Sequence, residues 1–235
     1  MISPKTKGAS LALKGIVIVC AAIGIMLSAA AGAQSFMGGR RVFMYLTIQS
    51  NILIALVCAV GAGMLLCTRP ATALWYTIKF VSTVAITLTG VVFCFVLAPT
   101  LGAYAWIFQN VLTHVVVPVA AIADFFVTGR YGSIRKSSAL FVLLPPLAYV
   151  VYAGIGYAAG WEFAKGIHYP YFFLNWGSPA GAFGFTDALP FMGCGWWILA
   201  ILVMLLAVGY GYLVILDRLK KNASGAANGE NHNEK

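Results

Sequence analysis

Carboxylates are scarce in this chain: its 235 residues carry six Asp and Glu against fifteen Lys and Arg. Charged residues of both signs total 9%, where a soluble domain carries about 25%. So little charge cannot coat a water-facing surface, which excludes a soluble enzyme and a disordered regulator. The positive surplus of +9 does not point to nucleic acid, because the basic residues lie in short groups between apolar runs instead of gathering on one arm among aromatics. Paired cysteines are missing too. Cys20, Cys58, Cys67, Cys94 and Cys194 are odd in number, contain no C-x-x-C and sit mostly in apolar runs. Neither a disulfide framework nor a zinc site is expected, and the thiols read as buried and inert. No metal and no organic cofactor is implied.

What the chain does have is apolar length. Hydrophobic residues make up 61% and the mean hydropathy is +0.90. A spanning helix needs about 20 mostly apolar residues. Six stretches meet that length: Leu13 to Ala33, Phe43 to Leu66, Leu74 to Ala98, Gly102 to Val127, Ala139 to Ala159 and Phe191 to Leu216. The expected fold class is all-α, a polytopic membrane protein with six transmembrane helices in one domain over 1–221. The tail over 222–235 is Asn, Gly, Ala and charge, and is expected to be disordered. No internal repeat supports the inverted symmetry common in transporters.

Basic residues set the expected orientation. Twelve of the fifteen fall before or at the start of the first stretch, around the second connection, in the fourth and after the sixth; only Arg40, Arg41 and Lys165 fall on the other side. Both termini are therefore expected to be cytoplasmic. Ala31-Gly32-Ala33 also permits reading the first stretch as a cleaved signal peptide. The length of its apolar run and the small-residue spacing Gly24, Ser28, Gly32 favour a packed helix. The connection from Gly160 to Pro190 is aromatic and glycine-rich, too apolar for water, and is expected to lie at the interface or fold back as a lid.

Polar side chains in a span are costly and usually face the bundle interior. Thr47, Ser50, Asn51 and Ile54 share one helical stripe, as do Asn110, His114, Ala121 and Asp124, Thr83, Thr87, Gly90 and Cys94, and Pro145, Tyr149, Tyr152 and Gly156. Packing explains the threonines of the third helix, and Pro145-Pro146 reads as a kink. Asp124 reads as an interfacial charge paired with Arg130. His114 stands apart as the one histidine inside a predicted span, without the cluster a metal would need. Thr47 and His114 lie about one turn inside the same end of two helices that run in the same direction. A hydroxyl and an imidazole at one depth suit a nucleophile and its base. Ser50, Asn51, Gln109 and Asn110 are candidate oxyanion donors, Tyr149 and Tyr152 candidate substrate contacts.

Three stretches carry a resemblance: Phe43-Met44-Tyr45-Leu46-Thr47-Ile48-Gln49-Ser50-Asn51, then Gln109-Asn110-Val111-Leu112-Thr113-His114-Val115-Val116-Val117-Pro118, then Tyr169-Pro170-Tyr171-Phe172-Phe173-Leu174-Asn175. Together they resemble the androgen-induced and androgen-dependent TFPI-regulating membrane proteins and their bacterial six-helix relatives. The animal members are intramembrane threonine hydrolases that cleave fatty acid esters of hydroxy fatty acids. The resemblance implies Thr47 as nucleophile and His114 as its partner. The threonine stretch continues here as Ile-Gln-Ser-Asn, a bacterial-type variant, and the Tyr-Pro stretch lacks a second proline.

The expected function is hydrolysis of a lipid ester, with membrane lipids as the partners and no nucleic acid. The alternative is a non-catalytic lipid- or small-molecule-binding protein or transporter that uses Thr47 and His114 as ligands. If the second helix extends back to Arg40, that residue lies on the face of Thr47, placed either as an interfacial anchor or as a clamp for a substrate carboxylate.

Overall fold

The computed structural model describes residues 3–34, 39–129 and 134–233, with side chains as far as Asn222 in the last helix. Among the described residues the regular structure is all helix, with no strands beyond two isolated bridges, and six helices are long and apolar enough to cross a membrane. They are α1 (Pro4–Ala33), α2 (Leu46–Leu66), α3 (Ala73–Trp106), α4 (Phe108–Thr128), α5 (Lys136–Ala158) and α6 (Cys194–Asn233). This is a multi-pass integral membrane protein. The tail expected over 222–235 falls almost wholly outside the described side chains.

Capping explains where the helices begin. Ser3 precedes Pro4 and accepts the Thr6 N–H at 3.2 Å, so α1 starts well before Leu13. Thr72 caps α3 through the Trp75 N–H at 3.2 Å. Two assignments need correcting. The charge pattern puts Lys14 and Lys79 before or between helices; both lie within them and are buried, at 3% and 5% exposure. The acidic residue of α4 needs the same correction. Asp124 is fully buried, and its Oδ1 lies 2.6 Å from Lys14 Nζ while its Oδ2 lies 2.6 Å from Lys79 Nζ. It is a bridge between α1 and α3 at the heart of one end of the bundle, not an interfacial charge. Its expected partner Arg130 lies outside the described residues. Ser10 donates to the same carboxylate at 2.5 Å, and Thr128 accepts from Lys79 at 2.5 Å.

Helix α3 is the hub, touching α2, α4, α5 and α6, while α1 lies against both α2 and α4. Lipid tails are as apolar as Leu, so helix association here rests on close packing and interhelical hydrogen bonds. Phe80, Val84, Phe125, Leu205 and Leu216 fill the main core. Thr83 and Thr87 bond back to the Lys79 and Thr83 carbonyls, and Thr87 also meets the Tyr212 hydroxyl of α6 at 3.0 Å, which is the packing role expected of them. Gly24 and Gly90 let α1 and α3 close on α4. A Cβ at Gly24 would stand 2.5 Å from Thr113 Cγ2, and one at Gly90 would stand 2.9 Å from the His114 carbonyl oxygen.

Two π-helical segments interrupt the regular ladder, Phe93–Leu97 in α3 and Leu112–Val116 in α4. Such segments add one residue to a turn and cluster at functional sites. Pro145 and Pro146 do not kink a continuous helix. The chain is 3₁₀ over Lys136–Leu143 and becomes α from Leu144, so both prolines stand in a first turn, where no N–H is needed. Gly102 has φ 58 and Ile107 is extended, which moves the start of α4 from Gly102 to Phe108 and leaves Tyr104 and Trp106 on α3.

The 160–190 connection folds back over the bundle as a lid. Phe163, Phe173 and Leu174 are buried in the core, and the lid is pinned by Arg41 to Glu162 at 2.6 Å and by the Tyr45 hydroxyl to the Phe163 carbonyl at 3.2 Å.

Candidate active site

Helix α2 places Thr47 in its first turn. Its N-cap residue, Tyr45, makes no side-chain cap bond, and the Thr47 N–H reaches the Tyr171 hydroxyl at 3.4 Å instead. The lid thus supplies the oxygen that the α2 terminus lacks. Helix α4 places His114 in the middle of its π segment. The two side chains meet: Thr47 Oγ1 lies 3.3 Å from His114 Nε2.

The tautomer is set by the other ring nitrogen. His114 Nδ1 lies 3.0 Å from the Asn110 carbonyl and 3.0 Å from Thr113 Oγ1. A carbonyl only accepts, so Nδ1 carries the hydrogen. Thr113 donates its own proton to the Gln109 carbonyl at 2.9 Å, which leaves its oxygen to accept from the ring as well. Nε2 therefore offers a lone pair to the Thr47 hydroxyl. Phe93, the first residue of the α3 π segment, stacks on the imidazole at 3.8 Å between centroids and 21° between planes, and fixes the ring plane. Among the described residues two neutral oxygens, and no carboxylate, orient this histidine.

Two cavities flank the pair. One, about 360 Å³, is lined by Ser28, Gln109, Asn110, Thr113 and His114 among others. The other is a narrow apolar slot of about 50 Å³ between Leu88, Val92, Tyr149, Phe173, Leu174 and Ile201. Thr47, Phe93, Leu97 and Tyr171 wall both, so the threonine stands where the two spaces adjoin.

The remaining candidates divide. Gln109 and Asn110 line the larger cavity, although the Asn110 amide donates to the Ala105 carbonyl at 3.1 Å. Asn51 is fully buried, and its amide nitrogen donates to the carbonyls of Thr47 at 2.8 Å and Thr113 at 3.1 Å. It clamps α2 to α4 behind the pair and has no N–H left for an oxyanion. Its Oδ1 is buried without a hydrogen-bond partner among the described residues, a costly position. Ser50 turns to α3 and pairs with Thr89 at 2.7 Å, outside both cavities. Tyr149 lines the slot and donates to the Met44 carbonyl at 3.0 Å. Tyr152 lies against Tyr149 and Trp161, away from the threonine.

Arg40 requires a correction. Helix α2 does not extend back to it. Gly39–Met44 is a separate 3₁₀ turn, Arg40 is exposed, and it walls neither cavity. Its neighbour Arg41 is the one that is paired, with Glu162.

Tyr171 is the residue that reading spans alone misses. It belongs to no helix of the bundle and reaches the site only because the lid folds inward. Burial pushes its phenol above the usual value, so it remains a protonated donor. Its place in the Tyr-Pro-Tyr of a long apolar connection is the signal available in the sequence. No protein-family model, curated protein or solved structure matches this chain.

Proposed function

We propose that the protein hydrolyses a lipid ester inside the membrane, with Thr47 as nucleophile and His114 as its base. The observation that carries this reading is the 3.3 Å contact between Thr47 Oγ1 and the Nε2 lone pair of His114, set between two cavities. In the first step Nε2 takes the hydroxyl proton as Oγ1 bonds to the ester carbonyl carbon. The carbonyl π bond becomes an oxyanion. The Tyr171 hydroxyl, beside Thr47, is the donor we assign to it. Collapse expels the alcohol, which leaves with the proton from Nε2. Water then repeats the sequence on the threonyl ester, releasing the acid and restoring both side chains.

The two cavities suit a substrate with an arm on each side of its ester, as in a fatty acid ester of a hydroxy fatty acid. The wider, partly polar space suits an arm with a polar end, and the slot suits a methylene chain. The resemblance to intramembrane threonine hydrolases points the same way. We place the site toward the outer leaflet of a bacterial cytoplasmic membrane, in keeping with the basic-residue asymmetry.

A fluorophosphonate probe tests the chemistry. It should attach to Thr47 in the purified protein, and His114→Gln should prevent attachment; labelling of neither variant nor wild type returns the cavity to a binding or transport role. Tyr171→Phe tests the oxyanion donor. It should lower kcat by about 100-fold with KM little changed, whereas a rise in KM alone would make Tyr171 a wall of the cavity. Orientation is tested in a Cys67→Ser background. A cysteine at Lys165 should react with an impermeant thiol reagent in intact cells and one at Arg135 should not; the reverse pattern would overturn the placement.

A further inference from the structure

Some 20–25 Å along α2 from Thr47, at the other end of the bundle, lies a cavity of about 450 Å³ with a different character. Lys7, Lys14, Arg69 and Lys79 line it, and none of its described lining residues is acidic. Two of these cations belong to the buried bridge on Asp124. One carboxylate neutralises one ammonium, so the Lys14–Asp124–Lys79 group holds one positive charge in excess at a nearly dry position. Uncompensated buried charge is costly. Lys7, half-buried, and Arg69, exposed, add two more positive charges at the mouth. Trp75 and Tyr76 line the same space at the start of α3, where amphipathic rings mark headgroup depth. Leu66, Leu74 and Ile78 lie exposed nearby, an apolar outer surface on which acyl chains can lie.

We propose that this cavity is a phosphate-binding site that holds the headgroup phosphate of an anionic phospholipid. Lys7 and Arg69 contact the phosphate from the mouth, and the surplus charge of the buried group attracts it from behind. A basic pocket between helices at headgroup depth is a recurrent way to bind such lipids. The site is separate from the Thr47–His114 pair and does not depend on the hydrolase reading.

Native mass spectrometry of the full chain, with phosphatidylglycerol or phosphatidylcholine in matched micelles, tests this. Phosphatidylglycerol should be retained at least tenfold better. The double variant Lys7→Gln with Arg69→Gln should lose that preference; neither residue is in the buried bridge, so the fold should hold, and an unchanged Tm checks it. Arg135→Gln with Lys136→Gln removes the same charge from another exposed connection and should keep the preference. Inorganic phosphate, added alone at millimolar concentration, separates the two sources. If it raises the Tm of the wild type but not of the Lys7 and Arg69 variant, while phosphatidylglycerol shows no preference, the site binds free phosphate and the lipid assignment is overturned. Equal losses in the two double variants, or no anionic preference and no effect of phosphate, would overturn the site itself.

Discussion

Thr47→Ala and His114→Ala are each expected to lower turnover of a lipid ester by more than about 1,000-fold, and the double variant to be little worse than either. The reason is that one proton shuttles between Oγ1 and Nε2, and removing either atom ends the shuttle. Thr47→Ala should fold normally, because the backbone N–H and carbonyl that anchor it to Tyr171 and Asn51 are untouched. His114→Ala leaves a gap under Phe93, so His114→Gln is the better partner for the cycle. Thr47→Ser keeps the hydroxyl and should retain measurable activity. The measurement is release of hydroxy fatty acid from a fatty acid ester of a hydroxy fatty acid by detergent-solubilised protein. Additive losses in the double variant would mean that the two side chains act separately, and the single-unit mechanism would fail.

The second large effect concerns folding. Asp124→Ala strands two ammonium groups, Lys14 and Lys79, in a site each leaves almost completely hidden. Breaking a buried pair from one side costs about 3–5 kcal/mol. Here α1 loses its hydrogen bonds to α4 at that end, and α3 keeps only those from Lys79 to Thr128 and to the backbone carbonyl of residue 124, so the variant should fail to accumulate or unfold at far lower temperature. Replacing all three together, Lys14→Met, Asp124→Leu and Lys79→Met, should restore much of the loss, because apolar residues of similar size fill the space without stranded charge. Thermal unfolding of the three proteins in one detergent reads this directly. An Asp124→Ala protein as stable as the wild type would mean that the lysines escape to water, against their burial.

These residues also show how much of the molecule is legible in its sequence. The six spans and the inward placement of Thr47 and His114 derive from hydropathy, helical period and the cost of polar groups in lipid, because these are properties of single segments. Whatever depends on contacts between distant segments is hidden. Lys14 and Lys79 look like orienting charges because they stand near the edges of apolar runs; only the tertiary arrangement reveals a shared carboxylate. Tyr171 reaches the threonine because a long connection folds inward, which no period records. Arg40 falls on the α2 face only if that helix is extended backwards, and the helix in fact begins at Leu46, after a 3₁₀ turn.

The stripe of α4 is readable only in part, for a related reason. Asn110 and His114 serve one end of the helix and Asp124 the other, with the π segment Leu112–Val116 between them. A turn of this kind holds one residue more than its α counterpart, and so offsets the remainder of the helix by about 100°. The heading of the imidazole relative to the anchored lower half of α4 is therefore a matter of counting. Deleting Val115 or Val116 would let this turn close as an ordinary α turn with both halves of the helix in register, and would change only the heading of what lies inside it, leaving a protein that inserts, packs at its charged end, and no longer presents its histidine to the threonine at the same angle.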